Sequence, residues 1–109
     1  MNERYLAAAV QLNSREDYAA NLAAAEHWIE TAAQQGAQLV ALPEMFTCFG
    51  SPAAMLAAAE PIPGPTSARL SALAARLRIT LVAGSFPEQS ARADRIYNTS
   101  LLFGPDGAL

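Results

Sequence analysis

Short apolar runs separated by amphipathic and polar stretches define the organisation of this chain. The runs predict strands over residues 5–12, 39–42, 79–86 and 96–103. The run over 39–42 is apolar on both faces and is stopped by Pro43, which is typical of a buried and parallel strand. Residues 87–95 are polar and are predicted to form a loop.

Helices are predicted between these strands. After a Ser14 N-cap, with Asp17 at the capping-box position, apolar residues recur at steps of three and four until Gly36, at Tyr18, Leu22, Ala25, Ile29 and Ala32. Ser51 and Pro52 begin an Ala-rich helix that runs to about residue 59. A third helix begins at Thr66 or Ser67 and carries Leu70, Leu73, Ala74 and Leu77 on one face. The order of the elements predicts an α/β fold.

The end of the chain is abrupt. The sequence Gly104-Pro105-Asp106-Gly107 predicts a tight turn, which normally leads into a partner strand. Only Ala108 and Leu109 follow it. We therefore expect residues 1–109 to form one partial, truncated domain.

Composition restricts the class of protein. The net charge is −3 and the chain has no lysine, which argues against a nucleic-acid partner. No apolar run reaches the length of a membrane span, and the N-terminus has no signal-peptide layout. The single cysteine, Cys48, excludes an internal disulfide. A cytoplasmic location is expected.

Glu44 is the first candidate for chemistry, because it directly follows the buried run and Pro43. Ligands of α/β folds bind at the carboxyl ends of strands. A carboxylate in that place, beside the apolar Met45 and Phe46, suits a general base. The alternative is a solvated charge that caps the end of the strand.

Cys48 and His27 are the remaining candidates for nucleophilic chemistry. A cysteine near a glutamate suggests a thiol hydrolase, but a small, half-buried loop residue is the more common role. His27 lies in the middle of a predicted helix, where a surface or packed role is more common than that of a base. One His and one Cys are too few for a metal site, so no metal is expected.

Two polar residues near strand ends are candidates for supporting the site. Asn98 lies within a predicted strand, where asparagine is disfavoured. It either hydrogen-bonds the backbone near the Glu44 loop or points to solvent at an edge. Glu88 follows the third apolar run and is either a second carboxylate of the site or a solvated loop charge.

A series of segments in a characteristic order extends over nearly the whole chain, and it includes Gly-Ala-Gln-Leu-Val-Ala-Leu-Pro-Glu at 36–44. The others lie at residues 9–12, 63–66, 81–88, 97–100 and 103–107. This ordered set resembles the nitrilase, or carbon–nitrogen hydrolase, superfamily. The segments at 97–100 and 103–107 are most similar to the Nit-type ω-amidase branch.

The resemblance implies a four-layer αββα sandwich, of which this chain is the N-terminal part. It also implies a Glu-Lys-Cys triad that hydrolyses small amides or nitriles without a cofactor. Glu44 matches the glutamate, the general base, and Glu88 matches a recurrent acidic position. The lysine and the nucleophilic cysteine come after the turn at 104–107 in the family, so the nucleophile is not expected in this chain. Family members commonly self-associate.

Three interpretations follow. The chain is the leading segment of an amidase, which alone is expected to be inactive, or a non-catalytic interaction module derived from half of a hydrolase. The third is a small thiol enzyme based on Cys48. The absence of lysine argues against the family's full chemistry within this chain.

Overall fold

A computed structural model describes residues 4–109 of the protein. Its helices are α1 (Tyr18–Gln34), α2 (Pro52–Ala58) and α3 (Pro65–Leu77). Its strands are β1 (Leu6–Ala9), β2 (Ala37–Ala41), β3 (Thr80–Val82), β4 (Phe86–Gln89), β5 (Ile96–Thr99) and β6 (Leu102–Phe103). The α/β class that the order of elements predicts is confirmed. Within the described residues, no helix is both long enough and apolar enough to cross a membrane.

The strands form two sheets. The larger has the order β1-β2-β3-β6, in which β1, β2 and β3 are parallel and β6 runs antiparallel to β3. The smaller sheet is an antiparallel pair of β4 and β5. Parallel neighbours need crossovers, and helix α1 connects β1 to β2 while α2 and α3 connect β2 to β3. The carboxyl ends of the three parallel strands therefore meet at one edge.

The core lies between the larger sheet and helices α1 and α3. A row of facing residues across the sheet, Ala8, Val40, Leu81 and Phe103, contributes three buried side chains to it. The helices contribute Leu22, Ala25, Ile29, Leu70, Leu73 and Ala74, which the periodicity of the sequence predicts to share faces. The apolar stripes of the sequence thus point at the sheet as expected.

The start of α1 differs from the prediction. Asp17 is the N-cap, since its carboxylate accepts a hydrogen bond from Ala20 N at 3.1 Å. Ser14 instead donates its hydroxyl to Phe46 O at 2.6 Å. The side chain of Ser14, which the local sequence predicts to cap the helix, is therefore used in a long-range hydrogen bond instead. The end of α1 is confirmed, because Gly36 follows it with a φ of +96°.

The predicted starts of the other helices are nearly correct. Ser51 caps α2, accepting from Ala54 N at 3.1 Å, and Pro52 is its first residue. Helix α3 begins at Pro65, just before the predicted Thr66 or Ser67. The turn at 104–107 is confirmed by a hydrogen bond from Gly107 N to Gly104 O at 2.9 Å.

Two predicted strands are interrupted. The run over 79–86 ends as β3 at Val82, and the chain then bends at Gly84, which has a φ of +40°. Residues after this bend form β4, so the predicted polar loop over 87–95 begins with strand structure. The run over 96–103 divides in the same way into β5 and β6, which belong to different sheets. Apolar composition alone does not mark these changes of sheet.

Candidate active site

Glu44 lies just beyond the carboxyl end of β2. The pairing of β2 with β3 extends one step past the strand through a hydrogen bond from Leu42 N to Val82 O at 2.9 Å. The chain then turns away at Pro43, and the side chain of Glu44 is exposed. Phe46 anchors the other end of the segment, fully buried and edge-to-face with Phe86 at a ring separation of 6.0 Å.

Asn98 contacts the carboxylate of Glu44. Its amide Nδ2 donates a hydrogen bond to Glu44 Oε2 at 2.8 Å, from strand β5. Within residues 4–109, Oε1 makes no hydrogen bond, so one oxygen of the carboxylate stays able to accept a proton. Of the two alternatives for Asn98, the structure therefore shows contact with the Glu44 loop, through the side chain and not the backbone of Glu44.

Glu88 occupies a different position. Its Oε1 accepts a hydrogen bond from Thr99 Oγ1 at 2.6 Å across the β4–β5 pair. Asn98 and Thr99 are consecutive residues of β5, and consecutive side chains of a strand point to opposite faces. The two acids are thus held by neighbouring residues but on opposite sides of β5. A supporting role for Glu88 stays a prediction.

Ser85 is a residue of this site that sequence reasoning missed. Its backbone N donates to Pro43 O at 3.3 Å, and its carbonyl accepts from Phe46 N at 3.0 Å. Its side-chain Oγ accepts from Met45 N at 2.9 Å. Ser85 therefore contacts the segment on both sides of Glu44. No local signal in the sequence marks it, because its partners lie about forty positions away.

Cys48 has the features of a structural residue. Its side chain is 1% exposed. Burial, and next the negative charge of Glu16, raise the pKa of its thiol above the usual value. A nucleophile needs the thiolate, which a raised pKa disfavours. His27, by contrast, is exposed on α1 and packs edge-to-face with Trp28 at a ring separation of 4.9 Å.

Comparison with known families identifies the family of this chain. The model of the carbon–nitrogen hydrolase family matches residues 6–109. The chain belongs to this family. The resemblance found in the ordered motifs is thereby confirmed.

Similar proteins are of the Nit type. A deaminated glutathione amidase of a Synechocystis species is 42% identical over 104 residues, which is 94% of this chain and 38% of that protein. Omega-amidase NIT2 of Xenopus tropicalis is 47% identical over 92 residues, or 82% of this chain and 32% of that protein. The crystal structure of Nit3 from Saccharomyces cerevisiae matches 92% of this chain and 40% of its own, with 38% identity and a TM-score of 0.78.

These matches confirm the nitrilase-type fold and the Nit-type branch. This chain spans about a third to two-fifths of the length of the relatives it matches. The relatives are amidases by name.

Proposed function

We propose that this chain supplies the general base of a carbon–nitrogen hydrolase that acts on small, non-peptide amides. Glu44 is the base. In the family scheme, it takes the proton of a cysteine thiol, and the thiolate attacks the amide carbon. The amide C–N bond breaks as its nitrogen takes up the proton held by the glutamate, so that ammonia leaves and a thioester acyl-enzyme remains. Water then hydrolyses the thioester to the acid and regenerates the thiol. Residues 1–109 are one partial domain in this proposal.

One contact carries the proposal, the hydrogen bond from Asn98 Nδ2 to Glu44 Oε2. A general base must be held within reach of its proton and must keep an oxygen able to accept it. Asn98 fixes one oxygen, and the second makes no hydrogen bond within residues 4–109. The position at the carboxyl end of β2 agrees with where ligands bind in α/β folds.

The chain has no lysine and no second cysteine. Cys48 is a poor candidate for the nucleophile because it is buried and its pKa is raised. We therefore propose that the 109-residue chain is inactive by itself. The substrate class is argued from the names of the amidase relatives and from the family.

The test uses a hybrid enzyme, in which residues 6–109 of this chain precede the C-terminal remainder of Xenopus tropicalis omega-amidase NIT2. Release of ammonia from a small ω-amide is measured in the hybrid and in the 109-residue chain. We expect Glu44→Gln to lower turnover of the hybrid by at least about a hundredfold, with folding unchanged, because the isosteric amide cannot accept the proton. The short chain should release no ammonia with either residue.

Cys48→Ala is the control in the same hybrid. We expect turnover within a few-fold of the parent, because this thiol is not the nucleophile. Unchanged turnover in Glu44→Gln would refute the assignment of the base and would favour the interaction-module interpretation. A loss of about a thousandfold in Cys48→Ala would instead support the thiol-enzyme interpretation.

A further inference from the structure

Ser85 uses each of its three polar groups on the segment that carries Glu44. Its N–H donates to Pro43 O, its hydroxyl oxygen accepts from Met45 N, and its carbonyl accepts from Phe46 N. The distances are 3.3, 2.9 and 3.0 Å. Glu44 is the one residue of the segment 43–46 whose backbone makes no hydrogen bond with Ser85, and it lies between residues that make one.

The contact at Met45 compensates an unfavourable backbone conformation. Met45 has a φ of +50°, in the left-handed region that residues with a side chain seldom adopt. Such a residue persists only where its surroundings fix it. The Ser85 hydroxyl oxygen accepts a hydrogen bond from the N–H of Met45 and so helps to fix this residue. Met45 directly follows Glu44, so a change in its conformation would move the peptide to which the base is attached.

The fit between the two segments is close. At Gly84, with a φ of +40°, an added Cβ would lie 2.0 Å from Pro43 O. Only glycine allows this approach. Ser85 is itself buried, with 7% of its surface exposed, and the following Phe86 packs on Phe46. Residues 84–86, which follow β3, therefore pack closely against residues 43–46, which follow β2.

We propose that Ser85 is a positioning residue, which holds Glu44 in the orientation needed for catalysis through the left-handed turn at Met45. This inference rests on the proposed function of Glu44. Ser85 itself contacts neither substrate nor the reacting atoms in this proposal. Its hydroxyl acts on the peptide that follows Glu44, while Asn98 acts on the carboxylate.

The first test measures the contact in the hybrid enzyme, and its result does not depend on activity. Hydrogen exchange of backbone amides is followed by NMR in the parent, in Ser85→Ala and in the control Ser90→Ala. Ser90 also uses its hydroxyl on backbone groups, at Arg92 and Arg95, but beyond the far end of β4. We expect Ser85→Ala to accelerate exchange at Met45 by about tenfold or more, and Ser90→Ala to leave it unchanged. Equal exchange rates at Met45 in all three would overturn the proposal.

The second test measures turnover in the hybrid enzyme. We expect Ser85→Ala to lower kcat by about tenfold while KM changes little, because a displaced base weakens the transition state and not the binding of substrate. In a Met45→Gly background the same substitution should cost a smaller factor, since glycine adopts the positive φ readily. A purely structural Ser85 would show no such dependence on residue 45.

The outcomes separate this inference from the proposed function. If Glu44→Gln abolishes turnover while Ser85→Ala and Ser90→Ala behave alike, the positioning role is refuted and the base stands. If Glu44→Gln leaves turnover intact, the proposed function fails and the positioning role with it, and the exchange rates then report a structural contact alone. In a hybrid that is inactive throughout, equal exchange at Met45 in the three chains still overturns the proposal, and faster exchange in Ser85→Ala supports the contact on which it rests.

Discussion

At the scale of single residues, Asn98 decides what the carboxylate of Glu44 can do. An amide donor beside an exposed carboxylate limits the rotation of that carboxylate. The donor is neutral, so it orients the carboxylate of the proposed base without neutralising it. A cationic partner would hold the charge more strongly but would make the carboxylate a weaker proton acceptor.

We predict that Asn98→Asp is more harmful than Asn98→Ala, although aspartate is the closer in shape. Alanine removes one hydrogen bond and should lower kcat of the hybrid by about tenfold. Aspartate places a second carboxylate beside Glu44, and like charges at this distance oppose ionisation of the base. The loss should therefore exceed that of alanine, measured as ammonia release under saturating substrate.

Gln89→Glu is the matched control, because it is also an isosteric change that adds a negative charge to the β4–β5 pair. Gln89 lies at the opposite end of this pair from Phe86, opposite Ile96. Turnover of the Gln89→Glu hybrid should stay within a few-fold of the parent hybrid. If aspartate at 98 is the milder of the two substitutions there, Asn98 fills space and does not orient the base.

The sequence predicts some of these residues and not others. Glu44 is predictable because an apolar run and Pro43 lie directly before it, which locates a strand end. Asn98 is noticeable in the sequence because asparagine is disfavoured in strands. Its partner Glu44 is 54 positions away, and no sequence pattern identifies that partner. Ser85 lacks even that signal. The contacts of Ser85 arise because two strand ends approach each other in the folded chain, and no local sequence pattern predicts that approach.

At the scale of elements, helix α3 is capped by a residue outside it. Its N-cap, Gly64, has no side chain to offer. Glu60 replaces it, with Oε1 accepting from Thr66 N at 2.7 Å and Oε2 accepting from Thr66 Oγ1 at 2.8 Å. The hydroxyl of Tyr18 on α1 lies 2.7 Å from the same Thr66 Oγ1. The carboxylate of Glu60 thus accepts from the first turn of α3, where a negative charge is favourable, and the contact between Tyr18 and Thr66 links α3 to α1.

We predict that Glu60→Ala destabilises the fold by about 1–2 kcal/mol, the usual cost of losing a cap. In the hybrid this should lower the Tm by about 2–4 °C. Glu26→Ala is the control, because it removes a surface ion pair with Arg69 whose N–O distance is 2.6 Å. Such pairs contribute about 0–1 kcal/mol, so the Tm should barely change. The Tm values are measured by circular dichroism. Equal changes in Tm in the two variants would show that Glu60 is not the cap.

Element boundaries separate what the sequence predicts from what it does not. The helices are predicted well because three- and four-residue periodicity and the signals at Ser51, Pro52 and Gly36 are local. The runs over 79–86 and 96–103 are predicted as single strands, yet each divides between two sheets. The first run divides at Gly84, where the close approach of Pro43 O leaves no room for a side chain, and the second divides between Thr99 and Leu102. Such an approach is a property of the folded chain.

At the scale of the whole molecule, the two faces of the larger sheet differ. Helices α1 and α3 cover one face. The other carries a row of facing residues, Ala9, Ala41, Val82 and Leu102. Leu102 is 57% exposed, and Ala41 and Val82 are only half-buried. Strands that are apolar on both faces are typical of sheets covered on both sides.

We predict that the 109-residue chain associates with itself or binds a hydrophobic dye through this uncovered face, because apolar patches of more than a few hundred Å² rarely stay exposed in monomers. Sedimentation and dye fluorescence measure the two effects. Leu102→Lys should reduce both, since it places a charge at the β6 end of the row, on its most exposed large side chain. Phe49→Lys is the control, because Phe49 is similarly exposed at 61% but lies in the loop before α2. A parent chain that is a monodisperse monomer with cooperative unfolding and no dye signal would contradict the prediction. An equal effect of the two lysines would assign the association to general hydrophobicity and not to the sheet.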